Sequence, residues 1–108
     1  MPDLILTQAH TGQSFSVHPG EVIAIQLKEN PTTGYRWAID ISDNAILALQ
    51  SSDYAVLPGT GIGGGGMRTL TFKAERPGAV RLQLKLCRSW EGDSSIIDRY
   101  DVTIQVHN

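Results

Sequence analysis

The 108-residue sequence lacks the features that mark several classes of protein. Cysteine occurs once, at Cys87, so an internal disulfide framework is excluded, and no Cys/His cluster has the spacing of a zinc site. The longest apolar run near the start is Leu4–Leu6, which is too short for a signal peptide or a membrane span. We expect no metal or other cofactor. We also expect a cytoplasmic chain as written, or a periplasmic or secreted one if a leader was removed.

The sequence also lacks a large excess of positive or negative charge. Nine basic and 11 acidic side chains give a net charge of −2, and no basic run is present to neutralise phosphates. Hydrophobic residues make up 41% and charged residues 19%, as in ordinary globular domains. We therefore expect one domain over residues 1–108, monomeric, with neither nucleic acid nor a membrane as partner.

Apolar and polar residues alternate through most of the chain. An alternation of period two is typical of a strand with one face buried and one face in water. The alternating apolar sets are Ile23, Ile25 and Leu27; Tyr35, Trp37, Ile39 and Ile41; Leu70 and Phe72; Val80, Leu82, Leu84 and Leu86; Tyr100, Val102, Ile104 and Val106.

No long helix is indicated, because the only stretch with helical character, Ala45–Leu49, is too short to be a major element. The pattern predicts an all-β fold, a single immunoglobulin-like antiparallel β-sandwich of about seven or eight strands. We place the strands at Asp3–Gln8, Ser14–Val17, Val22–Lys28, Tyr35–Ile41, Leu47–Tyr54, Met67–Ala74, Ala79–Cys87 and Asp98–Val106.

The connections differ between the two ends of this sandwich. With Val22–Lys28 as strand B, residues 29–34, 55–66 and 88–97 form the BC, DE and FG loops, which lie at the same end. The short Pro-Gly turns His18–Gly20 and Arg76–Gly78 fall at the opposite end. Long, unusual loops gathered at one end predict a binding surface there.

The BC segment, Asn30–Trp37, reads Asn-Pro-Thr-Thr-Gly-Tyr-Arg-Trp. Pro31 fixes its own φ, and Gly34 can take a positive φ where the chain re-enters a strand. The tip then exposes Thr32 and Thr33 on a stiff turn, which loses little entropy on binding. From local chemistry alone, a well-made turn without any further role is an equal interpretation.

The DE and FG loops each allow two interpretations. Gly59–Gly66 contains six glycines and matches G-x-G-x-x-G twice, but it leads into a strand, so a phosphate site is not favoured. It is either backbone that lies close against another surface or a flexible linker. Trp90, between Arg88 and Glu91, is either an interface anchor or a cap folded back on the sandwich. Trp37 alternates with apolar residues and is assigned to the core.

Enzymatic activity is not indicated. Cys87 would need a neighbouring histidine base to act as a nucleophile, and the sequence places no histidine beside it. The remaining candidates show no spacing expected of a catalytic site: His10, His18, His107, Asp40, Asp43 and Asp53.

The three loops together resemble the chagasin family of cysteine-protease inhibitors. Asn30–Trp37 matches the family motif N-P-T-T-G-(Y/F)-x-W in full, and Gly61–Gly64 fits G-x-G-G, with Gly63–Gly66 as a second register. Arg88–Glu91 resembles R-P-W-(E/T), with Ser89 in place of the proline. Order, spacing and chain length agree across essentially the whole domain.

This resemblance implies a tight, reversible inhibitor of papain-like cysteine proteases such as papain or a cathepsin L-type enzyme. The BC loop would enter the catalytic cleft with Thr32 nearest the Cys–His pair, and Trp90 and the glycine loop would lie on either side. An immunoglobulin-like module that binds another protein or a glycan through the same loops is the alternative. The implied protease-binding residues are Asn30, Pro31, Thr32, Thr33, Gly34, Gly61, Ile62, Gly63, Gly64, Gly65, Gly66, Arg88, Ser89, Trp90 and Glu91.

Overall fold

A computed structural model describes residues 2–29, 34–56, 65–88 and 95–108. Within these ranges, a short 3-10 turn at Gln8–His10 separates the first strand from the second, and no helix is long and apolar enough to cross a membrane. The strands are β1 (Leu4–Thr7), β2 (Ser14–Val17), β3 (Val22–Glu29), β4 (Tyr35–Ile41), β5 (Leu47–Val56), β6 (Gly66–Ala74), β7 (Gly78–Arg88) and β8 (Asp98–Val106).

The strands form two four-stranded sheets, in the orders β1-β3-β6-β5 and β2-β8-β7-β4. β1 and β2 pair in parallel with β3 and β8, at the edges, and the other described pairs are antiparallel. The 3-10 turn carries the chain from an edge of one sheet to an edge of the other. This arrangement confirms the predicted immunoglobulin-like β-sandwich.

The core lies between the two sheets and is built from the alternating apolar positions. Trp37 is 6% exposed, as the alternation predicts, and the Tyr100 hydroxyl donates a hydrogen bond to the Thr7 carbonyl at 3.0 Å. Each large aliphatic side chain removed from water contributes about 1.5–3 kcal/mol. The innermost side chains are Leu6, Ile23, Ile25, Leu27, Leu47, Phe72, Leu82, Leu84, Tyr100, Val102 and Ile104.

The prediction for the end of β4 is wrong. Ile41 was expected to share the buried face of Trp37, but it is 51% exposed. The β4–β7 register shifts between Ile39 and Ile41, so that Ile41 lies opposite Gln83. A β-bulge of this kind turns the following side chain to the other face of the sheet.

Several predicted strand ends also need correction. Gln8, expected in the first strand, belongs to the 3-10 turn. β3, β5 and β7 extend to Glu29, Val56 and Arg88, and β6 begins at Gly66, so the three loops are shorter than expected. Ladder hydrogen bonds continue these strands beyond the last alternating apolar residue.

The two Pro-Gly turns lie together at one end, as predicted. The Gly20 N–H donates to the Ala74 carbonyl at 2.8 Å, and the Ala74 N–H donates to Glu21 at 2.9 Å. Gly20 adopts a φ of +91°, a conformation that suits glycine. The ends of the strands that flank the BC, DE and FG loops are at the opposite end.

Candidate functional site

Five strand ends define a surface that we call the loop pole. Gly66 lies opposite both Glu29 and Val56 in one sheet, and Tyr35 lies opposite Arg88 in the other. The loop tips fall outside the described residues, and so do these predicted site residues: Asn30, Pro31, Thr32, Thr33, Gly61, Ile62, Gly63, Gly64, Ser89, Trp90 and Glu91. Gly34, Gly65, Gly66 and Arg88 are described, and all four lie at the loop pole.

Gly34 ends the BC loop with the backbone that the sequence predicts. Its φ is +81°, in the left-handed region, and Tyr35 follows as the first residue of β4. A side chain at this φ would bring its Cβ close to the backbone carbonyl. The glycine therefore sets the direction in which the BC loop returns to the sandwich.

A buried carboxylate lies directly beneath the BC loop. The Glu29 side chain is fully buried, and its Oε2 accepts a hydrogen bond from the main-chain N–H of Trp37 at 2.9 Å. The indole Nε1–H of Trp37 donates to the Lys28 carbonyl at 2.8 Å. Glu29 and Lys28 end β3, and Trp37 lies near the start of β4, so these bonds join the two sheets below the loop.

Arg68 on β6 holds this carboxylate in place. Its Nη2 and Nε donate to Glu29 Oε1 at 2.7 Å and Oε2 at 3.1 Å, and its Nη1 donates to Ser52 Oγ at 3.2 Å. The hydrogen bonds and the negative charge of Glu29 raise the pKa of Arg68, against the opposing effect of burial. The guanidinium also lies 5.6 Å from the ring centroid of Tyr54. The pair is therefore charged, bidentate and anchored to β5.

The DE loop re-enters the sandwich at a crowded point. A Cβ on Gly66 would collide with the Ala55 carbonyl oxygen and the Tyr54 hydroxyl, whereas one on Gly65 would meet only the Glu29 carbonyl oxygen at 3.6 Å. Gly66 is the first residue of β6 rather than part of the loop to which the sequence analysis assigned it. Packing thus requires glycine at Gly66 but not at Gly65.

The FG loop is closed at its base by Ser95 and Arg88. The Ser95 hydroxyl accepts from the Arg88 N–H at 2.9 Å and donates to the Arg88 carbonyl at 3.2 Å. The Arg88 guanidinium lies 4.5 Å from the ring centroid of Tyr35. Arg88, predicted in the loop, is the last residue of β7, and its contact with Tyr35 links the bases of the FG and BC loops.

The candidates for catalysis do not assemble into a site. Cys87 is buried on β7, His10 Nδ1 accepts from the Thr7 N–H at 2.9 Å, and His18 Nδ1 lies 2.8 Å from the His107 carbonyl. Across the described ranges, no group of His, Cys, Asp or Glu side chains could hold a metal ion.

The sequence analysis missed Glu29, Arg68 and Ser95. A signal for the first two was present, because the alternation of Ile23, Ile25 and Leu27 continues inward to Glu29, and that of Phe72 and Leu70 continues to Arg68. Opposite charges at two inward positions near strand ends predict a buried pair. Ser95 carries no comparable local signal.

Comparison with known proteins identifies a family whose model covers most of the chain. The family model described as Chagasin family peptidase inhibitor I42 matches residues 16–104. Chagasin of Trypanosoma cruzi is 28% identical over 106 residues, covering 94% of this chain and 96% of chagasin. These matches include β3 through β7 and all three loops.

Two solved structures share the fold. The cysteine protease inhibitor EhICP2 of Entamoeba histolytica superposes with a TM-score of 0.86 at 23% identity, over 99% of this chain and 100% of that one. PbICP-C, solved in complex with falcipain-2, has a TM-score of 0.64 at 17% identity, over 99% and 92% of the two chains. From the family match, this chain belongs to the chagasin family of peptidase inhibitors, and it is an inhibitor of cysteine proteases rather than an enzyme.

Proposed function

We propose that the chain inhibits papain-like cysteine proteases by covering the active-site cleft with its BC, DE and FG loops. The observation that carries this proposal is the loop pole, where the bases of all three loops adjoin and are cross-linked by side chains. A relative with the same fold, PbICP-C, was solved bound to falcipain-2. The loops of this chain are assigned to the same kind of partner.

Rigid presentation explains inhibition without cleavage. A BC loop with the turn that its sequence predicts, between Glu29 and Gly34, would not offer the extended peptide that the protease nucleophile attacks. Thr32 and Thr33 at its tip would block the catalytic pair, and Trp90 would anchor the FG loop beside the cleft. Because the loop bases are already tied, little freedom is lost on binding, which favours tight affinity from an interface of roughly 1,600 Å².

Titration of active papain and of a cathepsin L-type enzyme tests the proposal. We expect activity to fall in proportion to added inhibitor at near-equimolar amounts and to return on dilution. Mass spectrometry of the inhibitor after incubation should show an uncut chain. Full protease activity at micromolar inhibitor would contradict the proposal and would favour a module that binds another protein or a glycan.

A further inference from the structure

The BC loop differs from the other two loops in how its ends are held. β5 and β6, which flank the DE loop, pair directly, as do β7 and β8, which flank the FG loop. β3 and β4, which flank the BC loop, belong to different sheets. Main-chain ladder bonds therefore fix the bases of the DE and FG loops, whereas the base of the BC loop depends on contacts between sheets.

We propose that Glu29 is a positioning residue for protease inhibition, which ties the two ends of the BC loop together across the sandwich. Its Oε2 accepts a hydrogen bond from the Trp37 N–H at 2.9 Å, so the side chain of the last residue of β3 is hydrogen-bonded to the main chain of β4. The inference rests on the proposed function, because it assigns Glu29 to the inhibitory geometry of that loop.

Arg68 makes this tie stiff. A carboxylate that accepts one hydrogen bond can rotate. Glu29 also accepts hydrogen bonds from Arg68 Nε and Nη2, and Arg68 in turn donates a hydrogen bond to Ser52 on β5. Charge-assisted bidentate pairs fix direction as well as distance. The position of the Trp37 N–H is thus set by side chains from β3, β6 and β5.

Stability alone does not call for this arrangement. A buried ion pair can often be replaced by apolar residues of similar volume without loss of stability. An apolar side chain at position 29, however, has no acceptor for the buried Trp37 N–H. Because an unsatisfied buried donor is costly, we expect β4 to shift until this N–H meets another acceptor. If the BC loop bases held the binding geometry for only a fraction of the time, the apparent affinity would be the intrinsic affinity multiplied by that fraction.

Two double variants separate positioning from stability. Glu29→Leu/Arg68→Met removes both charges and the acceptor, while Glu29→Gln/Arg68→Gln removes the charges but keeps an acceptor for the Trp37 N–H. We expect the first to raise the inhibition constant for papain by at least about tenfold, equivalent to roughly 1.4 kcal/mol. We expect the second to remain within about threefold of the starting protein, as rescue by an acceptor requires.

Two measurements accompany the inhibition constants. Hydrogen exchange at the Trp37 amide should accelerate in Glu29→Leu/Arg68→Met and stay slow in Glu29→Gln/Arg68→Gln. Val106→Ala, a core truncation at the far end from the loop pole, should lower the melting temperature without changing the inhibition constant.

The outcomes separate this inference from the proposed function. If the starting protein does not inhibit papain, the proposed function fails. If it inhibits and Glu29→Leu/Arg68→Met inhibits equally well, the inference fails and the function stands. Should that variant not fold, Glu29→Asp decides, since it keeps the charge but draws the carboxylate back by one methylene from the Trp37 N–H. An inhibition constant raised at least threefold supports positioning, and an unchanged one overturns it.

Discussion

Gly34 and Gly20 have nearly the same backbone φ angle but lie at opposite ends of the fold. Their φ angles are +81° and +91°, one at the loop pole and one in the turn at the opposite end. An L-residue in the left-handed region costs about 1–2 kcal/mol. Substitutions at these two glycines can therefore separate the cost of backbone strain from an effect on protease binding.

We expect Gly34→Ala to weaken protease inhibition and to lower the free energy of unfolding by about 1–2 kcal/mol. Gly20→Ala should lower stability to a similar extent with an unchanged inhibition constant. Inhibition assays and urea unfolding of both variants check this. Equal inhibition by the two variants would show that the return angle of the BC loop does not matter.

Trp90 is the residue at which the family resemblance makes its sharpest prediction, although it lies outside the described residues. Trp90→Ala should weaken binding to papain by about 2 kcal/mol or more, as expected for an aromatic interface anchor. The inhibition constant measures this directly. A loss of no more than about 0.3 kcal/mol would assign Trp90 to the sandwich instead of the interface.

At the scale of the elements, packing at the start of β6 restricts which residues can join the DE loop to the sheet. Gly65 and Gly66 are neighbours in sequence, but only Gly66 faces a carbonyl and a tyrosine hydroxyl where a Cβ would stand. Neither residue has a positive φ. The difference between them is therefore one of packing alone.

Gly66→Ala should shift the start of β6 and destabilise the protein by about 1–3 kcal/mol, as for an overpacked site. Gly65→Ala, with its nearest contact at 3.6 Å, should be close to neutral. Urea unfolding compares the two variants. A Gly66→Ala protein as stable as Gly65→Ala would mean that Tyr54 moves aside without cost.

At the scale of the whole molecule, Tyr100 connects the core to the first strand. It also makes the free energy of unfolding depend on pH in the alkaline range. Burial raises the pKa of Tyr100 to about 12, from about 10 in an unfolded chain. Below about pH 10 the phenol is protonated in both states, so this contribution to stability is complete. As the pH rises from about 10 towards about 12, only the unfolded state ionises, and stability falls.

Tyr100→Phe should make the free energy of unfolding less dependent on pH above about pH 10. At neutral pH the variant should be less stable by about 1 kcal/mol, because the hydrogen bond to the Thr7 carbonyl is lost. Urea unfolding at several pH values tests both effects. An unchanged alkaline slope would show that Tyr100 does not ionise on unfolding in this range.

Local patterns were sufficient for the fold and for part of the candidate site. Alternation located β3, β4, β6, β7 and β8 to within one residue at each end, and the Asn30–Trp37 segment predicted both the left-handed Gly34 and the buried Trp37. These features depend on neighbouring residues, through a side-chain period of two and the φ preferences of proline and glycine. The bulge that exposes Ile41 has no such mark, because it arises from the pairing of β4 with β7.

The sequence by itself determined the strands, the turns and the resemblance to an inhibitor family. Only the tertiary structure decided that Glu29 meets Arg68, 39 positions away, and the Trp37 N–H on the opposite sheet. It also decided that Arg88 stacks on Tyr35. The physical reason is that strand register and sheet packing bring together residues that are remote in sequence, and a period-two pattern says which face a residue is on but not which residue it meets.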